Sequence, residues 1–283
     1  MWGNNALKSN RFSAVIMLAA TAMLWSLGGV LIKWVTWNPL AIAGARSAIA
    51  SLVLLIVIRK PKINWSGPQI GAALAYAGTV ILFVCANKLT TAANAILLQY
   101  TAPIYIALFG AWLLKERTKA IDWITIFFVI GGMVLFFVDD LSSGGIWGNI
   151  LAALSGLSFA FLAIFMRMQK DGSPLESVLL GNILTALIGL PFMFTSMPSI
   201  SGWTALLILG IFQLGLPYIL YSKAIKHVTA LEAILIPVLE PILNPVWVLL
   251  VLGEKPGLWS LIGGLVVLVS VTARCVVSTL KPE

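Results

Sequence analysis

Glu240 and Arg46 are the charges hardest to reconcile with an inert role. Glu240 lies deep in the apolar run 230–252, directly before Pro241, with Asn244 one helical turn further on the same face. An ionised carboxylate in hydrocarbon costs several kcal/mol, so such a group faces a bundle interior or carries a proton. Two roles fit Glu240. It is an acid that exchanges protons or binds a cation, or a neutral acid hydrogen-bonded to a neighbouring helix. Arg46 sits in the run 39–58. It could pair with Glu240, bind a solute carboxylate, or snorkel toward Lys33.

Around Glu240, Pro237, Pro241 and Pro245 recur every fourth residue. Each lacks an N–H and leaves a carbonyl four residues back without its helical donor: Ala233, Pro237 and Pro241. Pro103 does the same to Gln99 in the run 92–114. At membrane depth such carbonyls are tolerated only where neighbours, water or a ligand complete them. Plain packing kinks are the alternative; that two segments kink at paired positions favours a shared cavity. Neutral polar groups are available nearby in Tyr76, Gln99, Tyr100, Tyr105, Gln213, Tyr218 and Tyr221, with Gly215 and Pro217 weakening the last segment. A small-solute site wants apolar and aromatic walls with a few polar anchors. The sequence therefore nominates Trp25, Arg46, Tyr76, Gln99, Tyr100, Phe159, Gln213, Tyr218, Glu240 and Asn244 as solute contacts. Pro103, Pro217, Pro237, Pro241 and Pro245 are nominated as kinks lining the cavity.

Other chemistries lack their residues. There is no HExxH, GxSxG or catalytic acid pair, so an intramembrane enzyme is unsupported, and no P-loop for a pump. No selectivity-filter loop argues for a channel. One histidine, His227, and two distant cysteines, Cys85 and Cys275, form no metal or haem pattern. No cofactor is expected.

The elements that must position these residues follow from composition. Of 283 residues, 60% are hydrophobic and only 10% charged, with mean hydropathy +1.02. A soluble domain carries about 25% charged residues. The chain reads as an all-α polytopic membrane protein. Apolar runs of spanning length fall near 12–34, 39–58, 69–87, 92–114, 121–138, 147–167, 175–196, 203–222, 230–252 and 257–279, which makes ten transmembrane helices. The first run is too long for the core of a signal peptide and is read as a retained helix.

The net charge of +8 marks topology rather than nucleic acid, because the basic residues come in ones and twos between apolar runs. With the N-terminus inside, 14 of the 18 Lys and Arg fall on inside segments, three (Lys33, Lys88, Lys255) fall outside, and Arg46 lies within a span. That asymmetry places both termini in the cytoplasm. Trp2, Trp34, Trp37, Trp65, Trp147, Trp203 and Trp259 fall near span ends and read as an interfacial belt. Glu116 and Glu254 read as local partners of Arg117 and Lys255 at helix ends.

The chain also repeats. Leu82–Glu116 aligns without gaps on Leu220–Glu254 at a shift of 138, pairing Thr91 with Thr229, Pro103 with Pro241 and Glu116 with Glu254. Trp25 and Phe159 correspond at a shift of 134. The unit holds five helices. An odd number forces the two copies, residues 1–141 and 142–283, into opposite orientations. Inverted repeats place a solute site at their interface near the midplane.

On these motifs the sequence resembles the EamA group of the drug/metabolite transporter superfamily. The resemblance covers essentially the whole chain. Its most specific parts are Ala-Pro-Ile-Tyr to Leu-Leu-Lys-Glu-Arg (Ala102–Arg117) with Gly131-Gly132, and Leu-Glu-Pro to Leu-Gly-Glu-Lys (Leu239–Lys255) with Gly263-Gly264. Ala22–Ser26 and Arg46 also match, with mild departures at Ser26 and Lys255. The resemblance implies a plasma-membrane carrier of small organic metabolites, often an exporter. Amino acids, aromatic metabolites and modestly cationic compounds fit the few deep charges. Proton coupling through Glu240 and uncoupled exchange both stay open. The expected partners are a small-molecule substrate, the bilayer and, under coupling, protons. The oligomeric state is open, and a monomer suffices.

Overall fold

The computed structural model describes residues 2–138, 145–194, 196–243 and 257–280. Asn244 and Pro245 lie outside the described residues, as does Glu254. All regular structure among the described residues is helical. The first half holds α1 (Trp2–Trp25), α2 (Gly28–Trp34), α3 (Pro39–Ile58), α4 (Gly67–Leu89), α5 (Ala92–Gln99), α6 (Ala102–Leu113) and α7 (Ala120–Phe136). The second holds α8 (Ile146–Met168), α9 (Pro174–Gly189), α10 (Ile200–Ile208), a π-helical turn at Leu209–Gly215, α11 (Leu216–Ala224), α12 (Ala230–Leu235), a 3₁₀ turn at Ile236–Val238, a short α13 (239–243) and α14 (Leu258–Leu280). Among the described residues, seven helical segments are long and apolar enough to cross a membrane, and Ala120–Phe136 and Leu261–Val277 are shorter apolar helices.

Local chemistry explains the starts. Asn38, Ser66, Thr91, Ser199 and Thr229 each accept a hydrogen bond from a first-turn N–H, and Pro39, Pro68 and Pro174 sit in first turns. Gly145 opens α8 at φ 73°, and a Cβ there would fall 2.4 Å from the Leu89 carbonyl oxygen. Only glycine fits that backbone.

The breaks matter more for function. The fourth apolar run is split at Tyr100 and Thr101, just before Pro103. The ninth passes into a 3₁₀ turn around Pro237. The first is interrupted at Ser26-Leu27, and the eighth winds into a π-helix before Pro217. In the fourth, eighth and ninth runs proline removes a helical bond that would otherwise keep the segment continuous. Such turns recur at functional positions.

Burial is the reverse of a soluble protein's. Ile56, Trp112, Phe127 and Phe194 are at least 74% exposed, while Arg46, Asn182, Gln213 and Glu240 are buried. Outward apolar faces suit lipid, and polar groups turn to the bundle interior. Close backbone approach binds the halves. A Cβ on Gly189 would sit 2.6 Å from the Gly44 Cα, and one on Gly263 would sit 2.4 Å from the Gly132 oxygen. Helix pairing has a reciprocal pattern. α3 packs on α9, α7 on α14, and α6 on α12, while α4 with α8 mirrors α11 with α1.

Of the tryptophans expected at the interface, Trp34, Trp65 and Trp147 are exposed, and Trp203 and Trp259 remain over 40% accessible. Trp37 departs from that expectation. It is buried, packs on Trp203 at 5.9 Å between ring centroids, and donates Nε1–H to the Ser196 carbonyl. A buried indole needs such an acceptor.

Candidate functional site

A pocket with about 390 Å³ of empty space, open solvent included, lies between the two halves of the chain. Trp25, Arg46, Thr79, Val80, Phe83 and Gln99 line it from the first half; Phe159, Gln213, Leu214, Tyr218 and Glu240 line it from the second. Seven of the ten residues nominated as solute contacts therefore meet at one space.

Arg46 does not snorkel. It is 1% exposed, and its Nη1 donates to Gln213 Oε1 at 3.1 Å. Its Nε has no partner among the described residues. Among the described residues it forms no ion pair, so the pairing with Glu240 is not made. Gln213 comes from the π-helical turn and is held by Gly28, where a Cβ would fall 2.9 Å from its Nε2.

Across the cavity, Glu240 Oε2 is 2.7 Å from the Tyr100 hydroxyl. The same hydroxyl is 2.8 Å from the Pro237 carbonyl oxygen, the one freed by Pro241. A hydroxyl has one proton to donate. When Glu240 is protonated, its O–H donates to Tyr100, whose own proton then serves Pro237. When Glu240 is ionised, Tyr100 can serve it only by releasing the Pro237 carbonyl. The helix break and the acid thus share one proton.

Tyr100 and Tyr76 stand behind the lining. Tyr76 donates to Asn182 Oδ1 at 3.0 Å and packs on Tyr218 at 4.8 Å. Trp25 is the hub of the aromatic wall, 5.2 Å from Tyr218 and 5.6 Å from Phe159. Gln99 is spoken for: its amide donates to Ser155 Oγ at 2.8 Å, and Ser155 donates to the Thr79 carbonyl.

Pro103, Pro217, Pro237 and Pro241 are buried at the breaks but are not among the cavity-lining residues. A proline ring offers no polar atom; it acts through the carbonyls it frees, and the cavity meets the side chains that answer them. Thr79, Val80, Phe83 and Leu214 also line the cavity, although in sequence they read as ordinary apolar helix.

At the opposite end from Lys33 and Lys88, a second polar group joins four helical segments. Arg274 of α14 pairs with Asp122 of α7, and it also reaches Glu232 of α12 at 3.4 Å. Arg11 of α1 pairs with Glu232 as well. Close by, Glu116 does not use Arg117. It binds Arg167 at 2.8 Å and accepts from the Ala230 N–H, because the chain turns its carboxylate onto the start of α12. Glu232 also closes a capping box with Thr229 at the start of α12, and Asp122 accepts the Lys119 N–H at the start of α7.

A helical membrane bundle with a buried polar cavity between its halves defines a membrane transporter class, and the comparisons agree. The model of the EamA-like transporter family matches residues 12–138 and again 146–273. The chain belongs to that family. It is 25% identical over 269 residues to an uncharacterized transporter of Clostridium kluyveri, covering 85% of this chain and 86% of that one. It is 25% identical over 276 residues to an uncharacterized transporter of Archaeoglobus fulgidus, covering 90% and 95%. The uncharacterized inner membrane transporter YedA of Escherichia coli K12 is 27% identical over 139 residues, 46% of this chain and 44% of the relative. A solved crystal structure superposes with a TM-score of 0.75 over 99% of both chains at 18% identity, a likeness of fold.

Proposed function

We propose that this chain is a secondary transporter that moves a small organic metabolite across the plasma membrane by alternating access. The observation that carries the reading is one cavity walled by both halves, holding an acid and a base that do not pair. In this reading, ten spans form two inverted five-helix units, residues 1–141 and 142–283. The doubled family match and the reciprocal helix pairing support that division. Both termini are cytoplasmic, as the distribution of basic residues favours. Export is the direction the family resemblance favours. Amino acids, aromatic metabolites or modestly cationic compounds are the solutes.

Glu240 is the coupling acid. The proton shared among Glu240, Tyr100 and the Pro237 carbonyl supports this, since proton loss there changes the bonding of a helix break. Purified protein in liposomes should give saturable solute flux, stimulated by solute on the far side and driven by a pH gradient. Flux that neither saturates nor shows countertransport would refute a carrier. Countertransport without response to the pH gradient would favour an uncoupled exchanger.

A further inference from the structure

The charge of the cavity narrows its solute. A guanidinium has five N–H donors in a planar fork. Arg46 spends one on the neutral Gln213 carbonyl, leaves Nε without a partner, and meets no carboxylate among the described residues. Glu240, the other charge on the wall, is engaged with Tyr100 instead. A buried cation without a counter-ion is costly, and the cost falls when an anion arrives. The fork matches the two oxygens of a carboxylate, whereas a cationic solute would meet it as a like charge. One fixed cation suits one carboxylate; a phosphate monoester carries more charge than Arg46 alone can meet. Beside Arg46, Trp25, Phe159 and Tyr218 offer flat apolar faces.

We infer that the cavity binds a solute bearing a single carboxylate, held on Arg46, with an apolar or aromatic body against Trp25, Phe159 and Tyr218. Gln213 and Gly28 are positioning residues: Gly28 leaves room for the Gln213 amide, whose oxygen aims the guanidinium. This inference deepens the proposed transport reading and removes purely cationic compounds from it.

Three probes of one carbon skeleton test it by calorimetric titration of the purified full-length protein: 3-phenylpropionate, phenylalanine and 2-phenylethylamine. At least one carboxylate probe should bind saturably, and the amine should bind at least roughly 10-fold more weakly, the worth of one charge-assisted pair. If phenylalanine exceeds phenylpropionate, Glu240 serves the ammonium; the reverse order leaves Glu240 to the proton. Arg46→Gln should weaken the carboxylates roughly 10- to 100-fold and erase their advantage over the amine. Arg46→Lys keeps the charge without the fork and should lose less. Gly28→Ala, which crowds Gln213, should weaken the carboxylates while leaving the order of the probes intact. The ranking of probes separates a binding role from general misfolding. Equal or tighter binding of the amine, unchanged carboxylate affinity in Arg46→Gln, or no binding of either carboxylate overturns the inference. Carboxylate binding in detergent without countertransport in liposomes would instead count against the transport reading.

Discussion

Removing the Tyr100 hydroxyl tests the shared proton directly. In Tyr100→Phe the ring stays, so packing is kept, but bonds of 2.7 Å to Glu240 and 2.8 Å to the Pro237 carbonyl disappear. Glu240 lines the cavity, where water can replace the lost partner. The Pro237 carbonyl lies inside a buried 3₁₀ turn and keeps only the Leu239 N–H, which it shares with the Ile236 carbonyl, so losing the hydroxyl costs about 1–3 kcal/mol. At about 2–4 °C per kcal/mol for a chain of a few hundred residues, melting should fall by roughly 2–12 °C. Glu240→Gln supplies the contrast. A glutamine amide N–H can donate to the Tyr100 oxygen, as a protonated carboxyl does, and Tyr100 then keeps serving Pro237. That variant should melt within about 2 °C of the native protein, a change below about 1 kcal/mol, yet lose pH-driven flux. Melting is followed by tryptophan fluorescence in detergent, and flux in liposomes with an imposed pH gradient. A Tyr100→Phe protein as stable as the native one would refute the bonding scheme. So would a Glu240→Gln protein destabilised as much as Tyr100→Phe.

Three further outcomes are expected. Gly156→Ala should destabilise by about 1–3 kcal/mol, because its Cβ would lie 2.6 Å from the Gln99 carbonyl at the α5–α6 break; a native melting temperature would show that the break can shift. Asp122→Asn should cost about 1–3 kcal/mol by leaving Arg274 with Glu232, which it shares with Arg11, as its carboxylate partner; denaturation of the detergent-solubilised protein reads this, and a loss under 1 kcal/mol would mean that the pair is dispensable. Single cysteines replacing Lys62 and Ile146, in a background lacking Cys85 and Cys275, should react with a membrane-impermeant maleimide from the cytoplasmic and outer sides respectively, and the opposite pattern would invert the topology.

The spans were legible because an apolar run of the right length has few other solutions, and the described helix ends fall within a few residues of the runs. The breaks were legible because proline removes a donor at a fixed offset. Arg46 and Glu240 stood out as charges in apolar runs. Their partners did not. Gln213 reaches Arg46 only because a π-helical turn presents it, and Gly210, Gly215 and Pro217 were the local signals of such a turn. Thr79, Val80 and Phe83 line the cavity through the rotation of α4, which hydropathy does not encode. The Arg11, Asp122, Glu232 and Arg274 group was missed because its cations had already been read as topology signals. The acids at the third positions of α7 and α12 were the available hint.

That group has an electrical consequence. It holds two cations and two anions, so its formal charge sums to zero. Moving one unit charge through the full membrane potential is worth about 2.3 kcal/mol per 100 mV. Separating a neutral cluster as one end of the bundle opens carries almost no net charge through that field. The membrane voltage then has little hold on the opening of that end. Under the proposed transport reading it acts instead on what crosses the cavity: a carboxylate near Arg46 and a proton at Glu240.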